Sequence, residues 1–558
     1  MGAGTNTTHR APVATPAPSI GQEATSARWR AAFWVTFGLL GVAKLWIAAT
    51  LSLFVDEAFY WQESRHLAWS YFDVPGLTAW MIAGSEAVLG HSTLAVRAPF
   101  LALGTAVPLM SVILARRMFG ANAGWRAGLW TLVLPLAGTL GVLALPDVPL
   151  VFASMLAFVA LERMASEGRL RDGCLLGVAL AIAWLSHYRA AMLMFAGLVF
   201  LIVTPRGRRL WRWPGLWVAL LIAALGLMPL LAFNLDNDWS AFGFQFVERH
   251  PWAFHADALL QPLEQALVVT PPLFILLGLA LWVALRRMRD GAPWDLFAAV
   301  SLPTLGAWFV LGLFADGERF RVHWPLAAYL PLLALLPRVL DERIRDGRHP
   351  ETWRIAAICS AAFAALGTLT VLAYLAAASH PAGANRLAAY KAFPSHFVGW
   401  NEAGAAARDL LAADRSGGII LVADNFMLAA ELDFALGGRR PVYALDSPLN
   451  VKHGRAGQLA SWQRDESALR AHAGQRALLV VDETALRERE RAAWLDGLCR
   501  RLGPLQEVQR IDLFDRRKRL VFLTAVIPAY EQEQGCGVRG TSLTTERERP
   551  PHAASGTP

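Results

Sequence analysis

The stretch that decides the fold is residues 31–57, AAFWVTFGLLGVAKLWIAATLSLFVDE. Its apolar part runs from Ala31 to Phe54, and Lys44 is the one charged residue within it. Roughly 20 apolar residues suffice to cross the hydrocarbon core of a bilayer. Because Asp56 and Glu57 follow this run almost directly, the stretch predicts a membrane-spanning helix that leads into an acidic loop.

Further apolar runs of the same character continue as far as residue 378. They lie at about 93–115, 124–145, 148–162, 173–188, 190–204, 215–233, 264–285, 294–315, 324–340 and 354–378. Together with the first run they predict about eleven spans. The stretch 75–90 is amphipathic and contains Glu86, so we expect it to lie at the membrane interface.

The composition agrees with a membrane protein. Hydrophobic residues make up 55% of the 558 residues and charged residues only 17%, whereas soluble domains average about 45–50% and about 25%. These values exclude a disordered or an entirely soluble chain. The net charge of +8 would suit nucleic-acid binding. The arginines fall mostly between apolar runs, however, so we predict a role in membrane topology and no nucleic-acid partner.

Loop arginines predict the orientation, because Lys and Arg concentrate in cytoplasmic loops. One set of alternate loops carries eighteen arginines and the other six, a contrast that also requires two separate helices within 173–204, broken at 187–189. The N-terminus is therefore predicted to be cytoplasmic and the C-terminal region extracytoplasmic. The six outer arginines are Arg65, Arg97, Arg189, Arg249, Arg319 and Arg321.

The C-terminal region has ordinary polarity and a different pattern. Short apolar runs at 417–423, 477–481 and 520–526 predict strands, and 426–436 and 484–501 predict helices between them, as in a small α/β domain. The predicted fold is a polytopic α-helical membrane protein with a small extracytoplasmic α/β domain. Its segments are a disordered cytoplasmic tail at 1–27, a transmembrane domain at 28–380 with outer loops at 54–92 and 234–263, the α/β domain at 385–530, and a disordered tail at 531–558.

Carboxylates gather at the outer ends of the predicted spans. Asp56 and Glu57 begin the first outer loop, and Asp147 follows Pro146 at a second junction between helices. Each also fits a plain cap at a helix N-terminus, where the helix dipole favours a negative charge. Their common location favours a shared site at the outer membrane–water interface.

Cations lie on the same outer face, which otherwise avoids them. Arg319, Arg321 and His323 precede one predicted span. Guanidinium groups bind phosphate bidentately, so a phosphate at the interface would account for these residues. Pairing with the nearby Asp316 or Glu318 is the alternative.

Several short motifs follow one another in a fixed order between residues 31 and 340. They are Asp56-Glu57, Tyr71-Phe72-Asp73-Val74-Pro75-Gly76, Val96-Arg97-Ala98-Pro99, Pro146-Asp147-Val148-Pro149, Ser186-His187-Tyr188-Arg189, Phe233-Asn234 with Trp239, Phe244-Gln245 and Arg249, and His323-Trp324-Pro325. In this order they resemble the glycosyltransferase family 39, or dolichyl-phosphate-mannose protein mannosyltransferase, superfamily of GT-C membrane enzymes. Among its bacterial members the chain is similar to the aminoarabinose transferases.

The resemblance implies an inverting sugar transfer from a polyprenyl-phosphate donor to a glycan, lipid or protein acceptor, at the outer face of a bacterial inner membrane. It implies Asp56 as the catalytic carboxylate, with Glu57 and Asp147 beside it, and Asp73 and Tyr71 as residues that hold the loop or a cation. The implied cations for the donor phosphate are His187, Arg189, Arg249, Arg319, Arg321 and His323. Membrane lipids are the other implied partner. No cofactor is required, although the carboxylates leave a divalent metal open.

Departures from the family pattern at three residues keep other functions open. Val74 and Gly76 stand where the family has His and Pro, and His187 stands where it has Lys. An unusual donor or acceptor is compatible with these changes. So is a transporter or flippase for a lipid-linked sugar, which should have inverted repeats and polar groups near the membrane midplane. The third alternative is a non-catalytic envelope-assembly protein whose outer domain binds a partner.

Overall fold

The computed structural model describes residues 20–250, 252–314, 323–390, 392–414, 418–530 and 539–540. The N-terminal part is helical. Its helices, in chain order, are α1 (Ile20–Thr50), α2 (Val55–Arg65), α3 (Leu77–Leu89), α4 (Thr93–Phe119), α5 (Ala121–Val133), α6 (Pro135–Gly138), α7 (Asp147–Glu167), α8 (Leu170–Ser186), α9 (Ala190–Val203), α10 (Pro205–Leu210), α11 (Pro214–Asp236), α12 (Ser240–Gly243), α13 (Gln261–Val269), α14 (Pro271–Arg286), α15 (Trp294–Gly312), α16 (Leu326–Asp346) and α17 (Pro350–Ala378).

Each apolar run predicted from the sequence coincides with one of these helices or with a broken pair. By length and composition, six helices could cross a membrane, namely α1, α4, α7, α11, α15 and α17, and a seventh span results if α14 is joined to the helical segment before it. The described residues thus contain fewer full-length apolar helices than the eleven predicted spans, because α5, α8 and α9 are short and the second half of α16 is charged. Residues 20–27, predicted to be disordered, form the start of α1.

The helical pattern has two notable breaks, one between α8 and α9 and one between α13 and α14. The predicted break at 187–189 is confirmed, since α8 ends at Ser186, His187 is extended with φ −162° and ψ 146°, and α9 begins at Ala190. The other break lies between α13 and α14, whose directions differ by 111°. There Pro271 follows Thr270, and a residue that precedes proline is driven out of the helical conformation.

The C-terminal part is an α/β domain, as predicted. Its sheet contains β1 (Ile420–Ala423), β2 (Val442–Ala444), β3 (Arg476–Asp482), β4 (Gln506–Leu513), β5 (Lys518–Val526) and β6 (Arg539–Gly540) in the spatial order β2-β1-β3-β5-β4-β6. The helices are α18 (Pro381–Ala388), α19 (Trp400–Ala413), α20 (Phe426–Ala435), α21 (Pro448–Lys452), α22 (Ala456–Ser461), α23 (Glu466–Leu469) and α24 (Glu488–Leu502). Strands β1, β2 and β3 are parallel, and β5 runs antiparallel to β3 and β4. The sequence predicted β1, β3 and β5 and missed the others.

The α/β domain packs on the first outer loop of the membrane domain through α20, which lies against α2. The ring of Phe59 contacts that of Phe426 at 5.5 Å between centroids, and Gln62 donates a hydrogen bond to Asp433 at 2.8 Å. Trp61 meets Phe434 edge to face at 5.2 Å. These contacts fix the α/β domain directly above the loop that carries Asp56.

Candidate active site

Glu57 and Arg97 form an ion pair that is sealed inside the protein. Both side chains are fully buried, and the guanidinium donates to the two carboxylate oxygens at 2.8 and 2.6 Å. The same carboxylate accepts hydrogen bonds from the backbone N–H groups of Phe54 at 2.8 Å and Ala144 at 2.6 Å. No substrate can reach a carboxylate enclosed in this way. This burial disfavours the catalytic role predicted for Glu57, whose contacts tie α2 to α4 and to the segment before α7.

The neighbouring Asp56 belongs to an acidic cluster, which we define as Asp56, Glu63 and Asp73. One guanidinium, that of Arg455 in the α/β domain, pairs with all three carboxylates, at 3.3 Å from Asp56 and 3.4 Å from Glu63. The side chains of Glu63 and Asp73 are almost completely buried, whereas that of Asp56 is 25% exposed. Asp56 is thus the member of the acidic cluster that a substrate can reach.

The surroundings of Glu63 disfavour its negative charge. Burial, and next to it the adjacent Asp73, raise the pKa of Glu63 well above its usual value, and Arg455 acts in the opposite direction. Carboxylates this close together repel each other when charged, so the contact of all three with one guanidinium favours their assembly. Tyr71, predicted to hold the loop or a cation, donates a hydrogen bond from its buried hydroxyl to the backbone carbonyl of Glu63 at 2.8 Å.

A cationic pocket lies beside the acidic cluster, and we define it by His187, Arg189 and Arg249. These residues, with the indoles of Trp252, Trp308 and Trp324, line a cavity of about 680 Å³. The guanidinium of Arg189 stacks on Trp324, with 4.9 Å between the guanidinium carbon and the ring centroid. The backbone N–H of Arg189 donates to Nδ1 of His187 at 3.1 Å. Of the other predicted phosphate ligands, Arg319 and Arg321 lie outside the described residues.

Asp147 lies at the back of the cationic pocket. Its carboxylate accepts a hydrogen bond from Arg189 and pairs with Nε2 of His323 at 3.1 Å. A second cavity of about 570 Å³ is lined by Asp147, Arg189, His323 and Trp324. The structure thus brings together three residues that the sequence separates by up to 176 positions, and it places Asp147 where it orients two of the predicted phosphate ligands.

An apolar cavity lies next to the Asp147 cavity. It has about 1250 Å³ of empty space, part of it open to the surroundings, between α7, α8, α9, α11 and α15. Phe158, Leu193 and Val300 line both cavities, so the two are adjacent. The combination of a cationic mouth and an apolar interior suits a ligand with an anionic head and a hydrocarbon tail.

One glutamine links the acidic cluster to the cationic pocket. The side-chain amide of Gln245 donates to the backbone carbonyl of Asp73, and its oxygen accepts from Arg249 at 3.1 Å. Gln245 therefore joins the loop that carries the acidic cluster to the side of the cationic pocket. A carboxylate that a substrate can reach, close to guanidinium groups, could serve in general base catalysis of group transfer.

Known proteins share both the sequence pattern and this fold. The family model described as dolichyl-phosphate-mannose-protein mannosyltransferase matches residues 73–233. The lipid A galacturonosyltransferase RgtD of Rhizobium johnstonii is 26% identical over 302 residues, which are 53% of this chain and 62% of that protein. The chain therefore spans less than two thirds of the length of this relative.

Solved structures extend the likeness to nearly the whole chain. ArnT from Cupriavidus metallidurans in the apo state superposes with a TM-score of 0.62 at 18% identity, over 89% of this chain and 98% of that one. The chain has the GT-C fold. ArnT bound to undecaprenyl phosphate gives a TM-score of 0.60 at 17% identity, over 89% and 99% of the two chains. The Archaeoglobus fulgidus oligosaccharyltransferase in complex with Zn and sulfate gives 0.51 at 12% identity, over 82% and 69%. The resemblance predicted from the motifs is confirmed.

The positive charge at the centre of the acidic cluster is that of a side chain, Arg455. Asp73 was predicted to hold the loop or a cation, and the cation it meets is the guanidinium of Arg455. Within the described parts of the chain, no three His, Cys, Asp or Glu side chains are grouped so as to hold a metal ion. The sequence gives no sign of Arg455, because this residue lies 382 positions from Asp73 in a domain without a recognisable motif.

The α/β domain contains an acidic pair, Asp424 and Asp482, at the carboxyl ends of β1 and β3. One oxygen of Asp424 accepts from the backbone N–H of Asp482 at 3.3 Å, and the carboxylate of Asp482 pairs with Lys518 at 2.7 Å. Burial, and next to it Asp482, raise the pKa of Asp424 to about 7. A carboxyl whose pKa is raised in the folded state lowers the free energy of unfolding at any pH at which it is ionised. That cost is absent below the unfolded pKa of about 4, and it grows as the pH rises toward the folded pKa.

We therefore expect Asp424→Asn to reduce the loss of stability between pH 5 and pH 8. The wild type should lose roughly 2–3 kcal/mol more than the variant over this interval, because the variant has no charge to bury. The measurement is the free energy of unfolding of the detergent-solubilised chain at several pH values. Asp496→Asn, a change at a carboxylate that is 43% exposed, is the matched control. Parallel curves for wild type and Asp424→Asn would contradict the expectation.

Proposed function

We propose that the chain is an integral-membrane glycosyltransferase that moves a sugar from a polyprenyl-phosphate donor to an acceptor, with inversion. The observation that carries this proposal is a cationic pocket that lies next to an apolar cavity on one side and is joined through Gln245 to the acidic cluster, with the partly exposed Asp56, on the other. The phosphate of the donor fits the mouth and its hydrocarbon tail fits the cavity. The undecaprenyl phosphate bound to the structurally similar ArnT supports the same donor class.

In this reaction the acceptor oxygen attacks the anomeric carbon from the face opposite the lipid phosphate. The bond between that carbon and the phosphate oxygen breaks, and its electron pair stays on the phosphate. Asp56 takes the proton when the acceptor is a hydroxyl, and it acts by positioning when the acceptor is already a phosphate. Arg189 and Arg249 stabilise the negative charge that develops on the leaving phosphate. Asp147 keeps Arg189 and His323 in place for this task.

The acceptor class is a lipid, a glycan or a protein. The activity of the relative RgtD, a lipid A galacturonosyltransferase, favours a glycolipid acceptor. We place the site at the outer face of a bacterial inner membrane, with the N-terminus in the cytoplasm and the α/β domain outside. The ion pairs that join arginine-rich helix ends, such as Arg287 with Glu342 at 3.1 Å, support a common cytoplasmic end for those loops.

An assay in proteoliposomes tests the function. The purified full-length chain is given undecaprenyl-phosphate sugars on the outer face together with lipid A, an oligosaccharide or a peptide. Release of undecaprenyl phosphate together with a glycosylated acceptor is the expected result. Movement of the intact donor across the bilayer would identify a transporter instead, and neither event would identify a non-catalytic protein.

Arg249→Gln should weaken binding of undecaprenyl phosphate. Hydrogen bonds to charged groups contribute about 1.5–3 kcal/mol, which corresponds to a loss of affinity of roughly 10- to 100-fold. The affinity is measured by titration in detergent. Arg209→Gln, at an exposed arginine beyond the end of α9, removes the same charge away from the pocket and should leave the affinity unchanged. Equal affinities for all three proteins would contradict the assignment of Arg249.

A further inference from the structure

The segment that carries Arg455 packs closely against the membrane domain. Gly454 has φ +74°, and a Cβ atom there would overlap the ring of Phe244. Gly457 is similarly close to Phe72, with 2.9 Å between the position of a Cβ atom and that ring. A side chain at either position would push the α/β domain away from the outer loops. The two glycines therefore allow the close approach that brings Arg455 to the acidic cluster.

Three aromatic rings pack against the guanidinium of Arg455. Its guanidinium carbon lies 4.2 Å from the centroid of Phe59, 5.0 Å from that of Tyr60 and 5.6 Å from that of Phe426. The residue is only 2% exposed. When a guanidinium stacks on an aromatic ring, the N–H groups at its edges can still donate hydrogen bonds. In Arg455 these groups contact the carboxylates of the acidic cluster.

The acidic cluster has a charge that its own domain does not neutralise. Asp56, Glu63 and Asp73 all come from the first outer loop of the membrane domain, and their shared counter-ion comes from the α/β domain. Without it, buried carboxylates of like charge would separate or take up protons. Because Asp56 is the exposed member, its side chain has the most freedom to turn away.

We propose that Arg455 is a positioning residue that holds Asp56 in its reactive orientation, so that sugar transfer depends on the α/β domain. This inference rests on the proposed function. Arg455 itself is buried behind Asp56 and acts through that carboxylate. The α/β domain is then a part of the active site, beyond any role in binding a partner.

The test uses the full-length chain with Arg455→Gln, the conservative variant Arg455→Lys, and the control Arg500→Gln, which removes an arginine that is 43% exposed on α24. Turnover and affinity for undecaprenyl phosphate are measured separately. For Arg455→Gln we expect kcat to fall roughly 100-fold, the loss typical of a displaced catalytic group, with donor affinity within about twofold of the wild type. Arg455→Lys should recover part of the loss, and Arg500→Gln should match the wild type.

Amide hydrogen exchange over residues 55–76 is the readout that does not need activity. We expect exchange in this segment to become about tenfold faster in Arg455→Gln and to stay unchanged in Arg500→Gln. Unchanged exchange, unchanged kcat, or an equal loss of donor affinity and kcat would each overturn the positioning role. If the wild type fails to turn over any donor while the segment still loosens in Arg455→Gln, the proposed function fails and the coupling of the α/β domain to the loop stands.

Discussion

Asp56→Asn is expected to abolish sugar transfer to a hydroxyl acceptor while the protein still folds and inserts. A positioned general base contributes about 10²- to 10⁴-fold to the rate of a reaction, and asparagine has no basic oxygen with which to replace it. Asp56 is the one carboxylate in the acidic cluster with appreciable exposure, at 25%. The measurement is the rate of undecaprenyl phosphate release in proteoliposomes that contain equal amounts of folded protein.

Folding should survive this change for structural reasons. Asparagine has nearly the same shape as aspartate, it is equally suited to the start of a helix such as α2, and its oxygen can still accept a hydrogen bond from Arg455. Asp236→Asn, at an exposed carboxylate on the end of α11, is the matched control and should keep full activity. Wild-type turnover by Asp56→Asn with a hydroxyl acceptor would remove Asp56 from the reaction.

Arg97→Met is expected to cause the largest loss of stability. The guanidinium and the carboxylate of Glu57 are both fully buried, and removing one partner of such a pair leaves an uncompensated charge inside the protein. The typical cost is about 3–5 kcal/mol. Arg97 also donates to the backbone carbonyls of Leu51 at 2.7 Å and Ser52 at 2.9 Å, so the end of α1 would lose its connection as well.

The midpoint of thermal unfolding in detergent and the yield of folded protein measure this effect. Arg116→Met makes the same substitution at an exposed position of the same helix, and we expect little change there. The double variant Arg97→Met with Glu57→Met should be less destabilised than Arg97→Met alone, because it buries no charge. An equal loss in the single and the double variant would indicate that packing of the long side chain, and not its charge, is what matters.

These two predictions separate adjacent residues that the sequence presents as one motif. Asp56 and Glu57 are neighbours, and either could have been the catalytic carboxylate or a helix cap. Successive residues of a helix point about 100° apart, so Asp56 faces the outer site while Glu57 faces the core. The orientation of α2 decides between them, and that orientation depends on Arg97 from another helix.

Much of the membrane domain could be predicted from the sequence, because hydropathy is a local property. The break at 187–189 followed from the arginine count, and the structure has it between α8 and α9. The lengths of individual helices were less predictable. The apolar run predicted at 124–145 is unbroken in the sequence, but in the structure α5 ends at Val133 and the short α6 follows it. In the α/β domain, β2 has three residues and β4 is largely polar, so neither has the apolar pattern that marks a strand.

The sequence by itself determined that this chain is a membrane protein with carboxylates and cations near the ends of its apolar runs, because the transfer of apolar segments into a bilayer depends on their own composition. Only the tertiary structure decided which groups meet. Asp147 lies against Arg189 and His323, and Arg455 crosses 399 positions of the chain to reach Asp56. Electrostatic pairing acts over a few ångströms of space and is indifferent to separation along the chain, so no local pattern could have shown it.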